Sequence, residues 1–278
     1  MKGLITRIST AIIFVLVMLG GLYGGRYSFV LLFAIITALC LWEFFEIVLS
    51  KESRRDRIRK FIGIGLGLAP FILTSILQLE MIRETEDYIA YTAILFFPFL
   101  FMAFIYELYT RSEKPFVNVA YMVLGLVYIG IPFATLDLIA FDGSYFYANT
   151  VFGLLLLTWC NDTAAYFVGS QLGKNLLFPR ISPKKTWEGT LGGVFITFAL
   201  AYILSMLFSE LRLLDWLVLA GIVSIFGSLG DLIESMLKRS MQVKDSGSML
   251  TGHGGFLDRF DGFIFLLPFA AAYLLLIR

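Results

Sequence analysis

The sequence predicts an all-α, polytopic membrane protein built as a bundle of about nine transmembrane helices. Of its 278 residues, 59% are hydrophobic and 15% are charged, whereas soluble domains have about 25% charged residues. Nine apolar runs are long enough to cross the roughly 30 Å of hydrocarbon in a bilayer. These runs cover residues 9–25, 27–49, 61–79, 88–109, 118–140, 149–172, 187–208, 213–237 and 256–277. The first run lacks a clear cleavage site, so we expect a helix there and not a signal peptide.

The distribution of basic residues predicts which loops face the cytoplasm, because cytoplasmic loops are enriched in Lys and Arg. With the N-terminus inside, eighteen of the 22 basic residues fall in cytoplasmic segments. The four outside are Arg26, Arg83, Arg212 and Arg278. We therefore expect a multi-pass protein of the cell (inner) membrane with a cytoplasmic N-terminus. The glycine-rich segment 244–262 would then face the cytoplasm, where nucleotides are found.

The domain organisation has to be sought within the helices, because the sequence contains no internal repeat and no long soluble linker. Ionisable residues away from span ends become frequent only after residue 110. We therefore predict N-terminal transmembrane helices at 1–110 and a catalytic transmembrane domain at 111–278, with a polar site facing the cytoplasm. The two cysteines, Cys40 and Cys160, lie in apolar runs and are typical of packing residues.

Several charged residues do not fit a purely apolar bundle. Asp162 lies near the middle of the sixth run, where a carboxylate is costly unless it faces water or a partner. Asp231, Glu234 and Lys238 are spaced i, i+3 and i+7, which places them on one helix face. Lys238 and Arg239 could extend to the membrane surface or bind phosphate. The sequence leaves these two roles open.

A second polar stretch, KDSGSMLTGHGGFLDRFDG, covers residues 244–262. Gly254 and Gly255 precede the ninth run, and a glycine-rich turn before a helix exposes backbone N–H groups that suit phosphate. Asp258 and Asp261 follow on the next turn, where two carboxylates suit a hard cation. The alternative is that these acids only complement the helix dipole.

The loop RISPKKTWEG at 180–189 adds a third polar element before the seventh run. Lys184 and Lys185 are consistent with an ordinary positively charged cytoplasmic loop or with phosphate binding. The loop also contains three residues that could cap the next helix, Ser182, Thr186 and Glu188. Together the three elements indicate a site for a polyphosphate ligand next to lipid.

The chain resembles the phosphatidate cytidylyltransferases, also called CDP-diacylglycerol synthases. The family pattern has Ser-x-apolar-Lys-Arg, four further residues, Lys-Asp, and a His-Gly-Gly-apolar-x-Asp-Arg-apolar-Asp ending. Residues 235–239, 244–245 and 253–261 match this pattern without departure. The 180–189 loop also looks like a second motif of the family, whereas the first 110 residues match only as generic spans.

The resemblance implies the reaction CTP + phosphatidate → CDP-diacylglycerol + pyrophosphate, with Mg²⁺ as cofactor and room for a second cation. It implies catalytic roles for Asp231, Asp258, Asp261 and Lys244. It implies substrate-binding roles for Lys184, Lys185, Ser235, Lys238, Arg239, His253, Gly254, Gly255 and Arg259. It implies metal ligation by Asp231, Asp258 and Asp261, with Asp162 as a further ligand or support. His253 is expected to bind phosphate or brace the turn, with proton transfer as the alternative.

The expected partners are CTP, phosphatidic acid and membrane lipid, with a homodimer left open and no nucleic acid. Two other classes remain open at this point. A CTP-dependent polyprenol kinase would use similar residues but transfer the γ-phosphoryl group. A transporter could also contain buried acids and basic residues, although its polar residues need not gather around a glycine-rich phosphate turn.

Overall fold

A computed structural model describes residues 2–49, 53–79, 85–247 and 254–278. This part of the chain is mostly helical and contains nine long helices, which confirms the all-α class. The helices are α1 (Lys2–Tyr23), α2 (Arg26–Val48), α3 (Arg54–Gln78), α4 (Thr85–Thr110), α5 (Pro115–Ala140), α6 (Ala148–Leu172), α7 (Trp187–Leu207), α8 (Leu213–Ser240) and α9 (Leu257–Ile277).

Seven of the helices in the described residues are long and apolar enough to cross a membrane, namely α2, α3 and α5 to α9. In α1 and α4 the described apolar stretches are shorter, at Ser9–Tyr23 and Pro98–Thr110. α7 shows the surface expected in lipid, since Leu191, Phe195 and Tyr202 on it are exposed. The chain is therefore a polytopic membrane protein, while the count of nine spans and the cytoplasmic N-terminus stay predictions.

Within the described residues, two helices contain a π-helical turn that the hydropathy pattern does not predict. The turns lie at Leu126–Gly130 in α5 and at Val223–Gly227 in α8. A π turn changes which side chains share a face, and such turns are frequent at functional sites. In α8 the turn directly precedes Ser228, so it sets the direction in which the following polar residues point.

Short strands were not part of the predicted fold. They are β1 (Phe141–Asp142), β2 (Tyr145–Phe146), β3 (Leu176–Phe178) and β4 (Ser182–Thr186). β3 and β4 pair in an antiparallel hairpin, with Leu176 opposite Thr186. The basic 180–189 segment therefore supplies the turn and the second strand of a hairpin and then enters α7.

The described residues form two compact units. The first contains residues within 1–144 and 245–257, and the second contains 145–244 and 258–278. The predicted division near residue 110 separates N-terminal helices from a catalytic domain. Packing into compact units does not test which residues carry the chemistry, so this division stays a prediction.

Buried polar pairs join the helices of the first unit. Arg59 on α3 forms an ion pair with Glu107 on α4, and its Nη2 donates to Glu107 at 3.1 Å. Asp137 on α5 accepts hydrogen bonds of 2.7 Å from Thr74 and Ser75 on α3. Hydrogen bonds of this kind join helices in membranes, where an unpaired polar group is costly.

Small residues allow α6 and α7 of the second unit to pack closely. A Cβ atom at Gly189 would lie 2.7 Å from the Ala165 carbonyl oxygen, and one at Gly193 would lie 3.0 Å from the Asn161 carbonyl oxygen. Larger residues would separate the helices, as expected for small-residue interfaces in membranes. The close approach also allows Thr197 on α7 to donate a 3.3 Å hydrogen bond to Asn161 on α6.

Candidate active site

A cavity of about 490 Å³ lies in the second unit, where α6, β4, α7 and α8 meet. Two acidic and two basic side chains face it together with small and hydroxyl-bearing residues. The lining residues are Asp162, Ala165, Tyr166, Gly169, Ser170, Lys184, Lys185, Thr186, Thr190, Ser228 and Asp231. Four predicted site residues from distant parts of the sequence, the two acids and the two lysines, therefore share one cavity.

Lys185 and Asp231 form the central ion pair of this cavity. The Lys185 Nζ atom lies 2.5 Å from an Asp231 carboxylate oxygen and also donates to the Ser228 carbonyl oxygen at 3.3 Å. Ser235 donates a 3.3 Å hydrogen bond to Asp231 from the next turn of α8. The two charged side chains remain 25% and 34% exposed, so a ligand can reach both.

The hairpin holds Lys184 and Lys185 in place through contacts at both of its ends. Thr186 caps α7 by accepting a 3.2 Å hydrogen bond from the Gly189 N–H, which confirms one of the predicted capping roles. Glu188 lies in the first turn of α7 and is not its N-cap residue. Its carboxylate accepts hydrogen bonds from the Lys174 and Asn175 N–H groups, the shortest at 3.0 Å, and one of 2.7 Å from the Asn175 side chain.

A second charged cluster is formed by Glu234, Lys238 and Asp258. Lys238 forms ion pairs with Glu234 and, at 2.6 Å, with Asp258. Its side chain is only 13% exposed and Glu234 is fully buried. Lys238 therefore does not simply extend to the membrane surface. It neutralises two acids, one of which is a predicted metal ligand.

Asp261 on α9 lies near the acids of α8 because the two helices pack closely at glycines. A Cβ atom at Gly230 would lie 2.7 Å from the Asp261 carbonyl oxygen, and one at Gly262 would lie 2.9 Å from the Gly227 carbonyl oxygen. The Asp261 carboxylate is close enough to the carboxylates of Asp231, Glu234 and Asp162 for its charge to interact with each of theirs. Like charges this close repel each other, so a proton or a cation among them is stabilising.

Among the described residues, no three Asp, Glu, His or Cys side chains form a ready-made metal site. Asp162 and Asp231 nevertheless both present carboxylates to the cavity. Mg²⁺ is usually held by one or two carboxylates together with substrate phosphates and waters. The donor set therefore fits a hard cation that binds with a nucleotide.

The other predicted substrate-binding residues are spread more widely. Arg239 and Lys244 are exposed near the end of α8, and Arg259 is exposed in the first turn of α9. Gly254 has a positive φ of 82°, a conformation that favours glycine. His253 lies outside the described residues.

Sequence reasoning missed several acids that are buried in the described residues, among them Glu43 on α2. It is 1% exposed and accepts hydrogen bonds from Ser246 and from the Leu257 N–H, at 3.0 and 2.9 Å. The carboxylate lies within an apolar run, which was a signal that a buried acid needs a partner. The partner could not be predicted, because it lies more than 200 residues away along the chain.

The fold and the site define a class: a polytopic membrane protein with a polar cavity lined by two lysines and two aspartates. The sequence profile of the cytidylyltransferase family matches residues 5–277. The chain therefore belongs to the cytidylyltransferase family.

Curated relatives agree with this assignment over almost the whole chain. A phosphatidate cytidylyltransferase of Bacillus subtilis is 35% identical over 267 residues, which cover 95% of this chain and 94% of the relative. Phosphatidate cytidylyltransferases of Staphylococcus epidermidis and Staphylococcus aureus are each 34% identical, over 270 and 271 residues, with 94% of this chain and 95% of the relative covered. The resemblance noted from the 235–261 motif is confirmed.

Proposed function

We propose that this chain transfers the cytidylyl group of CTP to phosphatidate, giving CDP-diacylglycerol and pyrophosphate for phospholipid synthesis. The observation that carries the proposal is the cavity in which Lys184 and Lys185 lie beside Asp162 and Asp231. The names of the curated relatives support the same reaction. The protein would act in the cell membrane, with this cavity open to the cytoplasm.

The proposed reaction needs positioning and charge neutralisation more than proton transfer. An anionic phosphate oxygen of phosphatidate attacks the α-phosphorus of CTP. The bond from the α-phosphorus to the oxygen that bridges to the β-phosphorus then breaks, and pyrophosphate leaves. Since the attacking oxygen already carries a negative charge, no activated Ser or Cys nucleophile is required. Catalysis of this kind relies on alignment and on groups that stabilise the developing charge.

The two lysines of the hairpin are suited to hold the phosphates. Lys184 and Lys185 both line the cavity, and the ion pair between Lys185 and Asp231 is partly exposed. An incoming phosphate can accept hydrogen bonds from Lys185, since a charge-assisted contact to phosphate is as favourable as one to a carboxylate. Asp231 would then be released to face a cation.

Mg²⁺ belongs to the proposal as the cofactor. Asp162 and Asp231 would hold it together with the phosphates of CTP, and Asp261 would add negative charge nearby. When bound, the metal supplies charge neutralisation to the attacking and leaving oxygens. Asp258 is held by Lys238, so its predicted role as a ligand requires that ion pair to open.

The cavity wall also suits an amphiphilic substrate. Tyr166 lines the cavity and is 72% exposed, and the neighbouring Phe167 is 57% exposed. An aromatic side chain with one polar end is typical of the membrane interface. Acyl chains could therefore stay in the bilayer while the phosphate of phosphatidate enters the cavity.

Product analysis tests this proposal. The purified protein with CTP, phosphatidate and Mg²⁺ should form CDP-diacylglycerol and pyrophosphate in equal amounts. Formation of CDP together with a phosphorylated polyprenol, when a polyprenol is supplied, would support the kinase instead. Solute flux in liposomes without nucleotide would support a transporter. The homodimer stays a separate prediction, which cross-linking in native membranes checks.

A further inference from the structure

The carboxylate of Glu43 contacts the two described ends of the glycine-rich segment 245–257. Its Oε2 atom accepts hydrogen bonds from the Ser246 hydroxyl at 3.0 Å and from the Leu257 N–H at 2.9 Å. Ser246 begins the loop and Leu257 is the first residue of α9. One buried side chain of α2 therefore connects the two ends of a loop that is distant in sequence.

Two glycines of the loop provide the space for this carboxylate. A Cβ atom at Gly247 would lie 2.5 Å from Glu43 Oε1, and a Cβ atom at Gly255 would clash with Glu43 Oε2 and the Ser246 hydroxyl. Neither glycine has a positive φ. The requirement for glycine is therefore steric; it comes from Glu43 at position 247 and from Glu43 and Ser246 together at position 255.

The contact with Leu257 also satisfies a helix terminus. The first N–H groups of a helix have no partner within it, and a carboxylate beside them is stabilised by the helix dipole. In an apolar environment such a charge-assisted hydrogen bond is stronger than one between neutral groups. The Leu257 N–H therefore donates its hydrogen bond to Glu43. The sequence alone favoured phosphate binding by the glycine-rich turn before this helix.

We propose that Glu43 is a positioning residue that ties together both ends of the 245–257 loop and so fixes the start of α9. In the chain, Leu257 directly precedes Asp258, and the loop carries the family motif. Glu43 would act on catalysis through the loop and not by contact with substrate. The effect on turnover rests on the proposed function, whereas the tether itself does not.

The first test measures the tether without any substrate. Replacing Glu43 by Gln keeps the size of the side chain but removes its charge. Hydrogen–deuterium exchange with residue-level fragmentation should show the Leu257 amide exchanging about tenfold faster, which corresponds to about 1.4 kcal/mol. The matched control Glu46→Gln, one turn later on α2, should leave this amide unchanged. Unchanged Leu257 exchange in Glu43→Gln would overturn the proposal.

The second test asks whether Glu43 and Ser246 act as one unit. We expect Glu43→Gln and Ser246→Ala each to lower kcat for CDP-diacylglycerol formation about tenfold with little change in KM for CTP. The double variant should be little worse than either single variant, since residues that share one interaction are not additive. Additive losses would show that Glu43 only supports α2, and would overturn the proposal.

Two further variants keep the test decisive if Glu43→Gln does not fold. Gly247→Ala should speed Leu257 exchange in the same way, because its new methyl group would displace the carboxylate. Gly20→Ala is the control, since a Cβ at that position would meet nothing within 4 Å apart from its chain neighbours and the nearby backbone of its own helix. If wild-type protein makes no CDP-diacylglycerol, the proposed function fails while the exchange measurements still decide on the tether.

Discussion

Replacing Lys185 with methionine should separate catalysis from stability. The Lys185 and Asp231 side chains are 25% and 34% exposed, and a pair with this much exposure contributes only about 0.2–1 kcal/mol to stability. If Lys185 holds a phosphate in the transition state, its loss should lower turnover on the order of 10²-fold, or about 3 kcal/mol. The expected activity loss is thus several times larger than the stability loss.

A matched ion pair in the first unit provides the control. Lys60 lies 2.9 Å from Glu46, with side chains 12% and 26% exposed. Lys60→Met should therefore cost at least as much stability as Lys185→Met while leaving turnover within about twofold of wild type. Initial rates of CDP-diacylglycerol formation and thermal unfolding in detergent, measured on both variants, check this prediction. Equal turnover losses in the two variants would refute the reasoning.

Three further predictions follow from the site and the topology. Asp261→Asn should reduce turnover on the order of 10²-fold, with partial recovery at high Mg²⁺. Equal Mg²⁺ dependence of wild type and Asp261→Asn would contradict the metal assignment. Asp258→Asn should in addition lower thermal stability, because it leaves Lys238 with one acid fewer. Glu188→Gln should raise KM for CTP while kcat changes less, since it loosens the hairpin that carries Lys184 and Lys185; a hairpin that resists protease as well as wild type would argue against this role. A cysteine introduced at Ser240 should react with a membrane-impermeant reagent from the cytoplasmic side, and one at Ser144 should react from the outer side. The reverse pattern would overturn the predicted orientation.

Hydropathy alone predicted much of the helical fold, because a transmembrane helix must satisfy its backbone internally and bury an apolar run of fixed length. Seven predicted runs coincide with helices of the described residues that can cross a membrane. The pattern did not predict the hairpin, since β3 and β4 span only three and five residues. It also missed the π turn of α8, which leaves the apolar run unbroken.

The sequence identified most of the charged residues in the site but not how they pair. Asp162, Lys185 and Asp231 were each predicted, yet their shared cavity depends on the glycine-mediated packing of α6 against α7. Asp231, Glu234 and Lys238 were expected to lie on one face of a helix. In the structure Asp231 pairs with Lys185, while Lys238 binds Glu234 and Asp258. Such partners are set by tertiary packing, which spacing along one helix cannot reveal.

The central claim is that CTP binds in the cavity of the second unit, and photo-cross-linking tests it most directly. A photoreactive CTP analogue, irradiated with the purified protein and mapped by peptide mass spectrometry, should label residues between Asp162 and Thr190 or next to Asp231. Excess CTP should abolish this labelling. The first unit has its own polar cavity of about 380 Å³, lined by Trp42, Arg57 and Lys60 among others. Labelling confined to that cavity and prevented by CTP would contradict the account.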